Sequence, residues 1–483
     1  MKQKSLVKNS IFNVIYTVAN ILFPLLTSAY VSRILLPTGV GKVAYAQNIA
    51  SYFVTIAALG IPSYGIREVA KVRGEQEKLN KVFTELMIIN AASTTVAVVG
   101  YIFLVALNSG ISDICLYIAC GTAVFFNYIN VDWLYQGEEE YVYISCRSIA
   151  IKVLAFISLL LLVKTQKDYI LYAWISSLAT GGNYIFNIVH ARKYVAFDFR
   201  ELKVKRHFAS IAILAVSIFL SGVYSKVDTT MLGVMTNDDQ VGFYSNAHKA
   251  VNIVISVGTA ISAVFLPRLS YCYRSGRKEF GELINRGIQI LSFILFPLSV
   301  GLFILADDAV SILYGAAFAE SAEIVQLFVP LVVISGFGNL LCYQLVLCTG
   351  NERHRLPAYI AGALANILLN AILIPSLAGK GAALASICSE LIVNAYQFIK
   401  MKKMLKYTID FKAVIQGAFS ATVMGGTVYL IDRCLGLPLL IAAILSFIGG
   451  CMTYVLVNCL IGNELTLNIA GMLKEKFRNG VRD

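Results

Sequence analysis

Two apolar stretches in the middle of the chain decide its fold class: residues 207–235, HFASIAILAVSIFLSGVYSKVDTTMLGVM, and residues 242–267, GFYSNAHKAVNIVISVGTAISAVFLP. Each exceeds the roughly 20 residues that an α-helix needs to cross the hydrocarbon core of a membrane. Each also carries charge, Lys226 and Asp228 in the first stretch and Lys249 in the second. A charge at the centre of a membrane helix costs about 2.5–3.5 kcal/mol on insertion scales, so these residues are expected to mark a substrate or ion pathway.

The composition of the whole chain indicates the same class of protein. Of its 483 residues, 58% are apolar and only 14% are charged, whereas soluble domains have about 45–50% apolar and about 25% charged residues. The ten cysteines contain no C-x-x-C pair, so we expect neither a disulfide framework nor a metal site. We predict an all-α polytopic membrane protein whose net charge of +12 reflects its loops and not a nucleic-acid partner.

Apolar runs of spanning length recur along the entire chain, and about fourteen membrane spans are predicted. Most of the 40 Lys and Arg residues fall on the side that holds the N-terminus. Because cytoplasmic loops are enriched in Lys and Arg, we expect both termini in the cytoplasm. The predicted spans are residues 9–32, 43–62, 83–107, 114–134, 146–163, 169–190, 208–234, 243–266, 286–306, 322–349, 357–375, 381–399, 411–431 and 438–461.

A weak internal repeat relates the two halves of the chain at an offset of 201 residues. It aligns span 2 with span 8, through Gly41, Ala46, Asn48 and Arg67 with Gly242, Ala247, Lys249 and Arg268. Parallel repeats of six spans are a known transporter architecture. We therefore predict two pseudo-symmetric six-helix lobes, residues 1–195 and 196–405, followed by helices 13 and 14 with a cytoplasmic tail in residues 406–483. The repeat also places Lys249 opposite Asn48.

Several predicted spans carry a polar stripe on one helical face. Such a face is costly against lipid, so it should meet protein or a water-filled cavity. The alternative reading is helix–helix packing, since Ser, Thr and Asn commonly form hydrogen bonds between membrane helices. The stripes are Asn13, Thr17, Asn20 and Pro24 in span 1; Ser217, Ser221, Tyr224 and Asp228 in span 7; and Ser245, Lys249, Asn252, Ser256 and Thr259 in span 8.

Lys249 is the leading candidate for contact with a substrate, because a lysine contributes no packing that a serine would not. Asp228 is expected to pair with Lys249, either in the pathway or as a salt bridge that only holds the helices together. Lys226 lies on the opposite face of its helix and is read either as a pathway residue or as a side chain that extends to the outer interface. The predicted cavity residues are Lys249, Asp228, Asn252, Ser256, Asn13, Asn20, Gln47, Asn48 and Lys226.

Three titratable side chains within spans are candidates for ion coupling. Glu390 lies in the middle of span 12 and is the leading carboxylate for a proton or sodium site. Asp228 is the second candidate, and His248 would titrate near neutral pH but is equally well read as a packing residue. The chain has no G-x-x-x-x-G-K-[ST] nucleotide motif. We expect no cofactor, with energy from an H+ or Na+ gradient or from downstream consumption of the substrate.

Four segments resemble a known family. The segment DWLYQGE (residues 132–138), followed by Tyr143-Ile-Ser145, is similar to the W-x-x-Q-G-x-E … Y-I-S segment of the bacterial polysaccharide transporters. NILLNAILIPSLAGKGAALA (residues 366–385) resembles the hairpin of their spans 11 and 12. SRILLPTGVG (residues 32–41) and VDTTMLG (residues 227–233) resemble the ends of spans 1 and 7. The family is that of the O-antigen and capsule repeat-unit (Wzx-like) flippases, within the multidrug/oligosaccharidyl-lipid/polysaccharide exporter superfamily.

This resemblance implies a function and a mechanism. Two six-helix lobes would surround a central cavity with alternating inward and outward access in the bacterial cytoplasmic membrane. An oligosaccharide linked to undecaprenyl pyrophosphate would move from the cytoplasmic to the outer leaflet, before polymerase or other assembly proteins use it. Cations in the cavity would neutralise the anionic headgroup, and Lys249 suits that role. By analogy with lipid II flippases, spans 13 and 14 would hold the lipid tail.

Other functions agree less well with the sequence. A lipid II-type flippase is a close alternative, but the first two spans lack a dense arginine cluster. A cation-coupled exporter of small molecules, such as a multidrug exporter, usually has an acidic residue in span 1, and this span has none. A membrane-embedded glycan polymerase would carry a large outer loop, whereas the longest outer loop predicted here covers only residues 307–321. We therefore expect a transporter and not an enzyme.

Overall fold

The protein is described from a computed structural model, which covers residues 6–107, 113–351, 355–434, 438–468 and 471. Every regular element within these ranges is helical. The helices are α1 (Leu6–Ala58), α2 (Ile61–Lys71), α3 (Gln76–Leu107), α4 (Ile114–Phe126), α5 (Asp132–Gly137), α6 (Tyr141–Leu162), α7 (Tyr169–Ala191), α8 (Lys205–Met235), α9 (Asp238–Ser275), α10 (Arg277–Ile304), α11 (Ala306–Tyr314), α12 (Ala319–Gly338), α13 (Leu345–Thr349), α14 (Arg355–Leu405), α15 (Lys412–Cys434) and α16 (Leu439–Leu460).

The helices confirm the predicted class, an all-α polytopic membrane protein. Within the described ranges, ten helical segments are long and apolar enough to cross a membrane. The segments that contain α1 and α14 each include two predicted spans, because each helix is bent in its middle. All fourteen predicted spans fall on helical segments, and the number that cross the membrane stays a prediction.

Proline explains the bend in α1, and a proline also lies near the bend in α14. In α1 the backbone of Leu36 is left-handed (φ 56°, ψ 178°), directly before Pro37. Proline disfavours the helical conformation of the residue that precedes it, so the helix breaks at this point and restarts from Pro37. In α14 the bend lies at Ala378 (φ 47°, ψ −125°), three residues after Pro375. Each bent helix thus forms two spans with almost no loop between them.

The chain forms two compact units, Met1–Ser245 and Asn246–Asp483. The division falls within α9, whereas the predicted lobe boundary lies between residues 195 and 196, before α8. Helix α8 belongs to the first unit because it packs along α1, to which it is hydrogen-bonded at several positions. The six-helix lobes inferred from the repeat stay a prediction.

The recognition segment DWLYQGE forms the short helix α5 in the core of the first unit. Trp133 and Tyr135 are fully buried in a cluster with residues of α2 and α3. A Cβ atom on Gly65 of α2 would lie 2.8 Å from the Trp133 ring, and one on Gly137 would lie 2.6 Å from the Val69 side chain. The aromatic and glycine positions of this segment are therefore explained by close packing of α5 against α2.

A buried carboxylate of α3 binds the first turn of α8 and the segment that precedes it. Glu85 accepts hydrogen bonds from the backbone N–H of Lys203, from the Arg206 guanidinium and from His207. The opposite ring nitrogen of His207 is 2.7 Å from the Tyr64 hydroxyl. Because a buried charge needs several compensating partners, this network fastens the link between α7 and α8 to the helices around it.

Helices α15 and α16 pack within the second unit. Small residues allow the close approach: a Cβ atom on Gly417 would lie 3.1 Å from the Ser292 carbonyl of α10, and one on Gly425 would lie 2.7 Å from Val300. Met424 and Tyr454 are buried in the same interface. The two C-terminal helices are thus attached to α10 by side-chain packing.

Candidate functional site

Lys226 of α8 is directed at the second half of α1. Its ammonium group donates to the Ser51 carbonyl at 3.3 Å and to the Thr55 hydroxyl at 3.4 Å, and it lies 5.8 Å from the centroid of the Tyr52 ring. All three partners lie near the middle of the predicted span 43–62. The side chain therefore contacts a neighbouring helix at membrane depth and does not extend along α8 to the outer interface.

The surroundings of Lys226 leave its charge uncompensated by protein. Among the residues that the structure describes, no carboxylate lies within salt-bridge distance of its ammonium group. A carbonyl, a hydroxyl and an aromatic face are neutral partners, and each is weaker than a charged acceptor. An anionic ligand would be a stronger partner for this ammonium group than any of these three neutral groups.

Asn48 holds the same two helices together. Its amide donates to the Lys226 carbonyl at 3.1 Å and to the Thr230 hydroxyl at 2.7 Å, and Thr230 is also hydrogen-bonded to Tyr52. Gln47 is half-buried on the adjacent position of α1. The contacts of Asn48 are those of helix packing, and they hold the backbone that carries Lys226.

Asp228 is buried and has a partner within the first unit. The Tyr244 hydroxyl donates to its carboxylate at 3.0 Å, which ties α8 to the start of α9. Its exposed fraction is only 6%. The predicted pairing with Lys249 and the predicted ion-coupling role of Asp228 stay predictions.

The first half of α1 carries a second contact with a lysine. Asn20 is exposed, and its side-chain oxygen accepts a hydrogen bond from the ammonium group of Lys152 on α6. The side chain of Asn13 lies outside the described residues. Lys152 was not among the predicted site residues, although it falls inside the predicted span 146–163. A search for charge in every span, and not only in the central pair, finds it.

In the second unit, α9 presents the predicted stripe. Lys249 and Ser256 are half-buried, and Asn252 is exposed. The Asn252 amide lies 3.1 Å from Nδ1 of His248, whose ring centroid is 5.8 Å from that of Phe328 on α12. One face of α9 therefore carries a cation next to amide, hydroxyl and imidazole groups, which suits a polar substrate.

Glu390 lies on α14 and contacts α12 within the second unit. Its carboxylate accepts hydrogen bonds from the Asn394 amide at 3.0 Å and from the Ser335 hydroxyl at 3.3 Å. Ser335 and Asn394 thus place this carboxylate at the contact of α12 with α14, and its predicted role in ion coupling stays a prediction.

The fold and these polar surfaces define a polytopic helical transporter. Residues 6–272 match the sequence model of the family described as polysaccharide biosynthesis protein. The match covers more than half of the chain, and the protein therefore belongs to this family. The resemblance drawn from the four sequence segments is confirmed.

Two relatives show which proteins this chain is similar to in sequence. A protein of Escherichia coli (strain K12) described as an O-antigen transporter is 22% identical over 410 residues, covering 83% of this chain and 98% of the relative. The lipid II flippase MurJ of Bacillus subtilis (strain 168) is 24% identical over 196 residues, covering 39% and 36%.

Two solved structures share the fold. The lipid II flippase MurJ in an inward closed conformation matches with a TM-score of 0.69 at 17% identity, covering 92% of this chain and 99% of that one. An inward-facing transporter of the multidrug resistance MATE family matches with a TM-score of 0.63 at 11% identity, covering 80% and 94%.

Proposed function

We propose that this protein is a flippase, which moves undecaprenyl-pyrophosphate-linked oligosaccharide repeat units across the bacterial cytoplasmic membrane by alternating access. Its family and the names of its relatives support the broader class, a flippase for lipid-linked glycans. The observation that carries the proposal is the position of Lys226, a cation at membrane depth with only neutral partners. A pyrophosphate headgroup is the anion that would complete this site.

The physical barrier to be removed is the transfer of a sugar and a charged headgroup through hydrocarbon. Hydroxyls and phosphates lose their hydrogen bonds to water there, at a cost of several kcal/mol for each group. The polar faces of α1 and α8 in the first unit, and of α9 in the second, offer replacement partners. Lys249 serves as a second cation, while the polyprenyl tail stays in the bilayer or against α15 and α16.

Energy coupling is the second part of the proposal. An H+ or Na+ gradient would act through a carboxylate that is accessible from the transport pathway. Glu390 is the leading candidate because it is a carboxylate in the middle of the predicted span 381–399, and Asp228 and His248 are the alternatives.

A lipid II-type flippase is the second candidate function. The observation that favours it is the similarity to the lipid II flippase structure over 92% of this chain. Lipid II carries the same class of headgroup, so Lys226 would bind either substrate. The two substrates differ in their glycan.

Translocation in proteoliposomes tests the proposal. The full-length protein is reconstituted, and a fluorescent undecaprenyl-pyrophosphate disaccharide or lipid II is assayed for exposure in the opposite leaflet, with and without an H+ or Na+ gradient. We expect the wild type to move the first substrate, Lys226→Met and Lys249→Ala to lower the rate at least tenfold, and Lys226→Arg to keep most of it.

Lys164→Met is the matched control, because Lys164 is an exposed lysine two residues after the end of α6. Its rate should equal that of the wild type. If the wild type transports only lipid II, the protein is a lipid II-type flippase. If it transports neither substrate, the proposed function is wrong. Wild-type rates in Lys226→Met would show that the site is elsewhere.

A further inference from the structure

Lys152 of α6 is a second lysine that reaches α1 without a charged partner. Its ammonium group donates to the side-chain oxygen of Asn20 and lies 5.9 Å from the centroid of the Tyr16 ring. Within the described part of the chain, no carboxylate lies within salt-bridge distance of it. Like Lys226, Lys152 thus contacts uncharged groups.

The contact lies deep in the membrane. Asn20 is near the centre of the predicted span 9–32, which places it roughly 17 Å along the helix from either end at 1.5 Å per residue. The hydrocarbon core is about 30 Å thick, so Asn20 and the ammonium group that it binds lie near the midplane. A cation at this depth is costly unless it faces protein or a water-filled cavity.

The exposed residues of α1 fall on two opposite faces of the helix, one apolar and one that carries Asn20. Val18, Leu22 and Leu26 form an exposed apolar stripe, with exposed fractions of 54%, 46% and 42%. Asn20 and Pro24 are also exposed and lie about 180° away around the helix, at 3.6 residues per turn. The apolar stripe fits hydrocarbon, and the polar face opposite to it requires water or a polar ligand. Lys152 binds α1 on this polar face.

We infer that Lys152 and Asn20 form a further subsite for the anionic headgroup of a polyprenyl diphosphate. The inference rests on the proposed function. Lys152 contacts α1 before its bend, and Lys226 contacts α1 after it. Two separate cationic sites therefore lie along one bent helix. At the Lys152 site a phosphate oxygen replaces the Asn20 oxygen as the acceptor, because an ionised acceptor forms the stronger hydrogen bond with an ammonium group.

Lys152 could instead have a purely structural role, in which it only holds α6 against α1. One substitution distinguishes this role from headgroup binding. Asn20→Asp places a carboxylate on the ammonium group. If Lys152 only fastens the helices, the new ion pair should preserve or raise the melting temperature and leave ligand binding unchanged. If Lys152 binds the headgroup, the aspartate occupies the ammonium group and repels phosphate, so binding weakens although the protein stays folded.

The test measures binding to full-length protein in lipid nanodiscs by titration calorimetry, with farnesyl diphosphate and inorganic pyrophosphate as probes. For farnesyl diphosphate we expect Lys152→Met and Asn20→Asp to raise Kd about tenfold, the loss of one charge-assisted hydrogen bond. Lys152→Arg should bind within about threefold of the wild type, and the control Lys164→Met should bind like the wild type. Inorganic pyrophosphate should bind more weakly than farnesyl diphosphate.

Unchanged Kd values in both Lys152→Met and Asn20→Asp overturn the subsite, while wild-type binding and translocation leave the proposed function intact. Pyrophosphate that binds as tightly as farnesyl diphosphate overturns the assignment to a lipid headgroup. A wild type that neither binds farnesyl diphosphate nor translocates either glycan overturns the proposed function itself. If Lys152→Met does not fold, Asn20→Asp and Lys152→Arg still decide between the two roles.

Discussion

Gly41 and Gly242, which the repeat relates at an offset of 201 residues, pack directly against each other in the structure. A Cβ atom on Gly41 would lie 2.9 Å from the Gly242 backbone nitrogen and 1.7 Å from the Asp238 carbonyl oxygen. The same offset relates Thr38 and Asp239, and the Thr38 hydroxyl donates to the Asp239 carboxylate at 2.5 Å. Equivalent positions of the two repeats therefore meet at the starts of spans 2 and 8.

The first prediction concerns this close approach. Gly41→Ala should prevent normal packing, because the added methyl group overlaps the Asp238 carbonyl. We expect a large loss of monodisperse protein in fluorescence-detected size-exclusion chromatography, and a lower melting temperature for what remains. Gly281→Ala is the control, since a Cβ atom there would have no other described atom within 4 Å beyond the backbone of its own helix and its chain neighbours. Wild-type behaviour of Gly41→Ala would contradict the packing described here.

The second prediction separates packing from substrate contact. Asn48→Leu removes the hydrogen bonds to the Lys226 carbonyl and to Thr230. Hydrogen bonds between membrane helices contribute about 0.6 kcal/mol on average, so we expect a loss of about 1 kcal/mol in unfolding free energy. A double-mutant cycle with Thr230→Val measures the coupling. A coupling of zero would show that Asn48 does not stabilise the α1–α8 contact.

The third prediction concerns the network around Glu85. Glu85→Gln should cost about 3 kcal/mol of unfolding free energy, because it breaks a buried ionic network in which the carboxylate is only 2% exposed. Arg206→Ala should cost about 1 kcal/mol or less, since its side chain is 49% exposed. Denaturant unfolding in detergent compares the two variants. Equal losses would contradict the unequal burial of the pair.

The fourth prediction is a pH dependence at the predicted outer side. Burial alone would raise the pKa of Asp113, but hydrogen bonds from Lys42 and Tyr169 and the Lys42 charge lower that pKa overall. The hydrogen bond with Asp113 in turn raises the pKa of Lys42. A depressed carboxyl pKa gives stability that is present above its ordinary value of 3.8 and lost as the pH falls through the folded value.

The raised pKa of Lys42 gives stability that is present below its ordinary value of 10.5 and lost only as the pH rises through the folded value. The pair should therefore contribute evenly across neutral pH and weaken below about pH 4. Melting temperatures of the wild type and Asp113→Asn, measured from pH 3 to 8, check this. The difference between the two proteins should shrink at the acid end, and a difference that grows there would refute the assignment.

The class of the protein and its family were predictable from the sequence because they depend on local patterns. A run of about 20 apolar residues is a spanning helix wherever it lies, and the segment 132–138 is recognisable without its partners. The bend at Leu36 also follows from a local feature, since Pro37 comes directly after it, whereas the bend at Ala378 lies three residues after Pro375 and is not fixed by that proline.

The direction in which each polar side chain points was decided only by the tertiary structure. Helical periodicity placed Lys226 opposite the polar stripe of its helix and left its role open between the pathway and the outer interface. The structure turns it towards Ser51, 175 residues away in the chain. Lys152 likewise meets Asn20 across 132 residues. A single helix defines its own faces, but which face meets lipid, protein or water depends on neighbours that come from distant segments, and no local pattern encodes them.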